Sequence, residues 1–316
     1  MPVSVSVHVV TFNSSTVIRK CLESVLAQTL LISKVIVIDN ASTDETWGVL
    51  SSYEDICTLV RNDNNLGFAA AHNQAIRLST SEWFLTLNPD VVLDPDYLNL
   101  VINAAKELPQ GGSFTGKLLR SSDPSQIDSV GLEMDRNRRA SDLTEVPTMA
   151  QVGSPFEVFG VSGAAALFSR KMAQDISIDG QFFDESFFAY KEDVDVAWRA
   201  RLLGWRAYCV PPAVGHHERG WKEGTRRQIA LPIRRYSYIN RYRIMYKNDH
   251  FPDILRTGLS ILFYELSSFF YALIMEPRLL VAWRGFFRDL RRLAAHRRTI
   301  QSRKVVTSKE LRRFFQ

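Results

Sequence analysis

Short, mostly apolar runs that stop at a polar or acidic residue, spaced by helix-length segments, constrain this chain more than any other feature. Val3–Val10, Val35–Ile38 and Trp83–Leu87 are such runs, and Cys57–Arg61 is another short one. A strand buried on both faces reads as a near-continuous hydrophobic stretch, so these segments predict the parallel strands of an α/β sheet. The intervening segments read as helices. Ser14 or Ser15 can cap a helix to about Thr29 with Val17, Cys21, Val25 and Leu26 on one face. Ser42-Thr43-Asp44-Glu45 carries a capping signature for a second helix, and Phe68–Leu78 suits a third. Alternation of this kind predicts right-handed crossovers between strands.

Periodicity then weakens. Ser113–Asp142 is polar, with room for short antiparallel strands, and Val158–Phe168 is apolar and glycine-bearing. Val194–Leu203 reads as an amphipathic helix, and Ala207–Val210 as a last short strand before Pro211-Pro212. The first residues read as a strand and not as a signal peptide. Cys21, Cys57 and Cys209 are scattered without metal-ligand spacing, which predicts reduced thiols in a cytosolic setting.

Charge divides the chain. Residues 1–218 hold 17 Lys and Arg against 27 Asp and Glu, a net −10, whereas residues 219–316 hold 22 against 7, a net +15. The change places a boundary between 1–225 and 226–316. Arg234–Lys247 interleaves basic and aromatic residues, and Ile254–Met275 is long enough to cross a bilayer. Arg256 near its start and Glu265 near its middle argue instead for an in-plane or packed helix. Arg284–Arg298 follows as a basic helix whose apolar side is Phe286, Phe287, Leu290 and Leu293. A basic, partly apolar tail predicts docking on the cytoplasmic leaflet of the membrane.

Acidic residues stand where the apolar runs end: Asp39, Asp90, Glu192, Asp193 and, just beyond, Asp195. An α/β sheet opens its binding crevice at strand ends. Carboxylates gathered there suit a divalent cation holding phosphate, plus a base that removes a proton. Asp39 can accept hydrogen bonds from a base or a ribose. Asp195 lies one step into a helix, where it caps the helix or pairs with Arg199.

The ordered set VVTFN, VIVIDNASTD, NLGFAAAHNQA, LNPDV, VSGAAALFSR and FFAYKEDVDVAWR resembles family 2 inverting glycosyltransferases, and within them the rhamnosyltransferase-like branch, over roughly residues 3–220. The resemblance implies a GT-A domain, a Rossmann-like nucleotide-binding mixed sheet with flanking helices, followed here by a C-terminal helical, basic, membrane-associating segment. It implies a dTDP-sugar or UDP-sugar donor, Mg²⁺ or Mn²⁺, and a glycan or lipid-linked acceptor.

Site residues follow motif by motif. Thr11 and Asn13 lie in the turn that touches the nucleotide in that family, and Asn65, Gly67 and Asn73 lie in the segment that closes over the donor. Asn88-Pro89-Asp90 takes the place of the Asp-x-Asp metal motif, with Asp90 as the ligand and Asn88 offering only a neutral oxygen. Gly160, Ser162, Gly163 and Ala164 match the small-residue segment beneath the acceptor. Glu192-Asp193 matches the Glu-Asp pair: Asp193 is the base, and Glu192 either orients it or holds the acceptor. His217 and Gly220 match a family spacing in which the histidine meets metal or diphosphate. Arg219, Lys222, Arg226 and Arg227 could neutralise the leaving diphosphate.

Other classes fit less well. A dinucleotide-dependent oxidoreductase shares strand–helix alternation, but VVTFNSST lacks the glycine-rich turn such folds carry after the first strand. A nucleic-acid binder could use the Arg/Tyr segment, although the apolar run beside it points to lipid. A membrane-associated nucleotide-sugar-binding protein with degenerate catalysis is the third alternative.

Overall fold

The computed structural model describes residues 3–148, 153–219 and 229–315. Its first half alternates as expected: β1 (Val5–Thr11), α1 (Ile18–Leu26), β2 (Lys34–Asp39), α2 (Thr46–Ser51), β3 (Thr58–Arg61), α3 (Phe68–Arg77) and β4 (Trp83–Leu87). There follow β5 (Val91–Leu93), α4 (Tyr97–Glu107), β6 (Gly111–Arg120), β7 (Asp123–Ser129), β8 (Leu132–Met134), β9 (Ala140–Asp142), β10 (Phe156–Val158), β11 (Ala165–Ser169) and α5 (Arg170–Ile176). The chain continues with α6 (Glu192–Leu202), β12 (Arg206–His217), α7 (Leu231–Asn248), α8 (Phe251–Met275), α9 (Ala282–Arg288), α10 (Leu290–Ser302) and α11 (Ser308–Arg312).

The main sheet runs β10-β12-β6-β11-β4-β1-β2-β3, with β5 on β12 and β7 on β6. Strands β4, β1, β2 and β3 are parallel, and β11 enters antiparallel between β4 and β6. Side chains of β1 alternate between two packed faces. Val5, Val7 and Val9 pack with Ile18, Cys21 and Leu22 of α1, whereas Val10 packs with Ala71 and Ala75 of α3. Burial of both faces is what made these strands legible as apolar runs.

Several local expectations need correction. Leu26 is exposed, and the buried side of α1 is Ile18, Cys21, Leu22 and Val25. Ser42 does not cap α2. Its hydroxyl turns back to the Asp39 carboxylate, and Asp44 accepts the Thr46 N–H at 3.0 Å instead. The stretch from residue 113 holds a central strand, β6, flanked by β12 and β11. Its polarity is explained by close backbone approach: a Cβ on Gly116 would stand 2.2 Å from the Ala213 carbonyl oxygen. Strand β12 does not stop before Pro211-Pro212; its register on β6 shifts between Val210 and Val214 and then resumes. Helix α6 is buried almost all round and is not amphipathic.

The basic C-terminal helices pack onto the sheet domain. Lys247 of α7 reaches Asp184 at 2.8 Å and Asp195 at 3.0 Å, and Asn248 donates to Asp195 at 2.9 Å. Asp195 therefore does more than pair with Arg199 at 2.9 Å. Leu311 and Phe315 join Phe159 and Trp198 in one apolar cluster. The expected boundary at residue 225 lies outside the described residues. The basic segment expected to be one helix breaks at Asp289, and Phe287 is exposed while Phe286 and Leu293 are buried.

Candidate active site

Strand pairing builds the first half of the site. The end of β12 lies antiparallel to β5, with His217 opposite Val91, and the Glu218 N–H donates to the Asp90 carbonyl at 2.8 Å. That register sets the His217 imidazole beside the Asp90 carboxylate, with Nε2 at 3.3 Å from Oδ1. On its other side, Nδ1 lies 2.8 Å from Asp128 of β7. Burial by itself would lower the His217 pKa, but the bonds to Asp128 and Asp90 outweigh it and raise the value to about 9. His217 is thus an imidazolium at neutral pH.

The second half comes from α6. One Asp193 carboxylate oxygen accepts the Val194 N–H at 2.8 Å, and the other accepts the Gly163 N–H at 3.1 Å. The neighbouring Ala164 carbonyl accepts the Asn88 N–H at 2.9 Å. Ser162–Ala165 therefore straps the Asp90 turn to the Asp193 turn. Glu192 is 7% exposed, and its Oε2 has no hydrogen-bond partner. Burial first, and the neighbouring Asp193 second, push the Glu192 carboxyl up to about 8. Burial also raises Asp193, against the pull of its two backbone N–H bonds.

Both halves open into one cavity of about 900 Å³, lined by Asn88, Asp90, Gly163, Glu192, Asp193 and His217 among others. Residues 90 and 193 are brought together by tertiary structure across a hundred positions of chain.

Thr11, Asn13, Asp39, Asn65, Gly67 and Asn73 do not line this cavity; Thr11 and Asp39 end β1 and β2, Asn73 lies in α3, and the others stand in the intervening loops. Thr11 and Asp39 are paired across β1 and β2, and both are buried. Asp39 accepts from Ser42 and lies 3.4 Å from Arg61. The Asn13 amide oxygen accepts the Thr43 N–H at 2.8 Å. Asn65 accepts the Gly67 N–H at 2.9 Å. Gly67 has φ +85°, and a Cβ there would stand 2.6 Å from Phe188, so this turn requires glycine. Asn73 is a clamp: its amide exchanges two hydrogen bonds with the backbone of Phe183, at 2.7 and 3.0 Å.

Sequence reasoning missed Asp128, Asp142, Asn40 and Asn240. Asn40 binds the Gly67 carbonyl, the Asn62 amide and the Leu66 N–H, tying the loop between β3 and α3 to the end of β2. Asp128 and Asp142 hold Arg219 at 2.6 and 2.5 Å. Gly220, Lys222, Arg226 and Arg227 lie outside the described residues. Asn240 of α7 is fully buried and donates to the carbonyls of Phe187, Ala189 and Tyr190 at 2.9, 3.1 and 2.9 Å. The loop it grips leads into Glu192-Asp193 and has φ of +60°, +69° and +70° at Phe188, Tyr190 and Lys191. Side chains persist in that left-handed region only when their surroundings over-determine it. Their signal lay in no local pattern, because each partner is remote in the chain.

For a divalent cation, the chain offers the Asp90 carboxylate and the His217 imidazole that faces it at 3.3 Å. Among the described residues no three acidic, His or Cys side chains converge as a complete cage. Two donors suit a hard ion that completes its shell with substrate phosphate and water. His217 ligates only in its neutral form.

Residues 6–177 match the profile described as Glycosyl transferase family 2. The chain is 28% identical over 243 residues to an N-acetylglucosaminyl-diphospho-decaprenol L-rhamnosyltransferase of Mycobacterium tuberculosis, covering 66% of this chain and 74% of that protein. Its fold is similar to that of GalNAc-T7 with UDP, GalNAc and Mn²⁺ (TM-score 0.61, 12% identity, 78% of this chain and 48% of that one). It is similar also to S. aureus TarS (TM-score 0.57, 16% identity, 89% and 47%). The chain thus spans about half the length of those two solved chains.

Proposed function

The chain belongs to glycosyl transferase family 2 and is a glycosyltransferase, and from that premise we propose that it moves a sugar, with inversion, from a nucleotide diphosphate to an acceptor hydroxyl in the 900 Å³ cavity. The observation that carries the reading is the shared cavity of Asp90 and Asp193. Asp193 takes the acceptor proton. The freed oxygen forms a bond to the anomeric carbon as the bond from that carbon to the diphosphate oxygen breaks on the opposite face. Two backbone N–H bonds fix the Asp193 carboxylate, so little reorganisation is needed at the reacting atom. Glu192 is protonated near neutral pH and donates a hydrogen bond to the acceptor. Mg²⁺ or Mn²⁺, held by Asp90 and by His217 once the cation has displaced its proton, would neutralise charge on the leaving diphosphate. The loops carrying Thr11, Asn13, Asp39, Asn65, Gly67 and Asn88 form the nucleotide side, and Asn73 supports them from behind.

The donor is dTDP-L-rhamnose and the acceptor a sugar linked through diphosphate to a polyprenyl lipid in cell-surface polysaccharide synthesis. Two features support this: the rhamnosyltransferase relative and an apolar helix on the C-terminal side. Membership of a glycosyltransferase family leaves no place for a dinucleotide oxidoreductase. Melting-temperature measurements with a panel of nucleotide sugars test the donor. At about 100 times Kd a bound ligand adds roughly 2.7 kcal/mol of stability. The rhamnosyl donor should raise Tm with Mg²⁺ or Mn²⁺ present, and excess EDTA should remove most of the rise. Stabilisation by a different nucleotide sugar alone discards the rhamnosyl assignment, and an EDTA-insensitive shift discards the cation.

Helix α8 supports a peripheral seat for the enzyme on the inner face of the cytoplasmic membrane. Gly258–Met275 has mean hydropathy 1.5, is long and apolar enough to span a membrane, and is only 11% buried. Its inner side is fastened to α7, where Glu265 binds Arg241 and accepts from the Tyr242 hydroxyl at 2.6 Å. Its outer side presents Leu259, Phe263 and Ile274, which are 74%, 68% and 73% exposed. Spanning a bilayer would break the inner contacts, whereas lying in the interface keeps them. Burying each large apolar side chain contributes about 1.5–3 kcal/mol. Changing Phe263, Phe270 and Ile274 together to Ser should weaken vesicle binding by on the order of 10³-fold or more. Unchanged flotation with liposomes would place the anchor elsewhere.

A further inference from the structure

Three described cations line the cavity: His217, Arg219 and Lys191. Two are already matched by carboxylates, His217 by Asp90 and Asp128, and Arg219 by Asp128 and Asp142. The Lys191 carbonyl accepts the Asp195 N–H at 3.0 Å, but its ammonium makes no ion pair or hydrogen bond among the described residues. Its position is costly, since it takes the left-handed φ of +70° as the residue before α6, and Asn240 holds the preceding loop in place. Burial depresses its pKa, Arg241 and Arg139 add to the depression, and Asp193 and Glu192 pull the other way. Arg139 is exposed and also has no carboxylate partner among the described residues. Its guanidinium lies over the Tyr264 ring of α8 at 5.5 Å, and that of Arg241 lies over the same ring at 4.8 Å. Arg241 is matched by Glu265.

Positive charge that is not fixed in an ion pair therefore lines the cavity at Lys191, beside Asp193 and Glu192, and recurs at Arg139 against the apolar helix. The Asp90 and His217 corner is a different part of the same cavity, and its charges are balanced within the protein. A ligand that bridges these surroundings carries a hydroxyl at one end, anionic phosphate next to it and an apolar chain beyond. We propose that Lys191 and Arg139 form a subsite for the diphosphate of the acceptor, separate from the corner that takes the diphosphate of the donor, with the lipid chain leaving along α8. This rests on the lipid-linked acceptor proposed above and assigns residues to it. A lysine is a compact point charge with rotatable donors and suits a flexible phosphate, and an exposed arginine over Tyr264 of α8 suits guidance of the incoming anion.

Two synthetic acceptors test the subsite on the full-length enzyme. One carries its sugar through a diphosphate to a short prenyl chain, and the other carries the same sugar directly on that chain. The quantity read is the ratio of their kcat/KM values. In the wild type the diphosphate acceptor should be preferred. Lys191→Gln should reduce that ratio by roughly tenfold or more, the loss of a charge-assisted contact, and Arg139→Gln by a smaller factor. The acceptor KM should move more than the nucleotide-sugar KM. Arg139→Gln changes an exposed residue, so it stays informative if Lys191→Gln folds poorly. A clear wild-type preference that survives both substitutions overturns the subsite and leaves the acceptor assignment standing. No wild-type preference overturns both. A donor KM that rises as much as the acceptor KM assigns the cations to the donor and overturns the proposal.

Discussion

Changing Asp193 to Asn should lower kcat by about 10²–10⁴-fold, the range expected for loss of a positioned general base. The substitution keeps the size of the side chain and an oxygen for the Val194 or Gly163 N–H, so the α6 turn should survive. Nucleotide-sugar affinity, measured by titration, should change little, because the proposed seat of the donor diphosphate is the Asp90 corner. Turnover near the wild-type level would remove Asp193 as the base. The pH profile adds a second readout. Burial raises Asp193, and burial with the Asp193 charge raises Glu192 to about 8. Such a coupled pair titrates as a unit. A base must be deprotonated, so wild-type kcat/KM should climb with pH on an acid limb lying above the ordinary carboxylate range. That limb should be lost from the residual activity of the Asn variant. A wild-type profile flat down to pH 5 would contradict the buried dyad.

Changing Lys247 to Met should destabilise the whole molecule, although Lys247 touches no substrate-lining residue. Its ammonium is fully buried between Asp184 and Asp195. Removing one partner of a buried ion pair leaves an uncompensated charge and costs about 3–5 kcal/mol. For a domain of this size that corresponds to a fall in Tm of roughly 5–15 °C. Arg292 remains on Asp184 and Arg199 on Asp195, which favours the lower end. Burial alone would raise the pKa of both carboxyls, but Lys247 and the other basic neighbours overcome it and hold both below their ordinary value. A depressed carboxyl adds stability that is present above its unfolded pKa of about 3.9 and lost as pH falls through the folded value. The difference between wild type and variant should therefore be largest near neutral pH and shrink in acid. An equal Tm at pH 7 would mean that α7 is not needed for the stability of the sheet domain. The same contacts predict that truncation near residue 250 yields insoluble protein, because α10 supplies Arg292 and His296 to Asp184.

The parallel half of the fold was legible because its strands are buried on both sides. Trp83–Leu87 and Phe68–Arg77 were found almost to the residue. The antiparallel half was not. β6 contains Gly111, Gly112 and Gly116 because neighbouring groups crowd its backbone, and such a strand carries no apolar signature. Helix α6 was misread for a related reason. Its charged residues Asp195, Arg199 and Arg201 are buried with partners from other elements, so they do not mark a solvent face.

Sequence by itself determined which residue types stand at the strand ends and that carboxylates would meet there, because strand ends and acidic turns are local properties. Tertiary structure decided which of them share a cavity, that His217 bears a proton between two aspartates, and that α7 grips the loop leading to Asp193. These depend on pairings between elements far apart in the chain, on burial and on the charges that burial brings into range. None of that is written in any single segment.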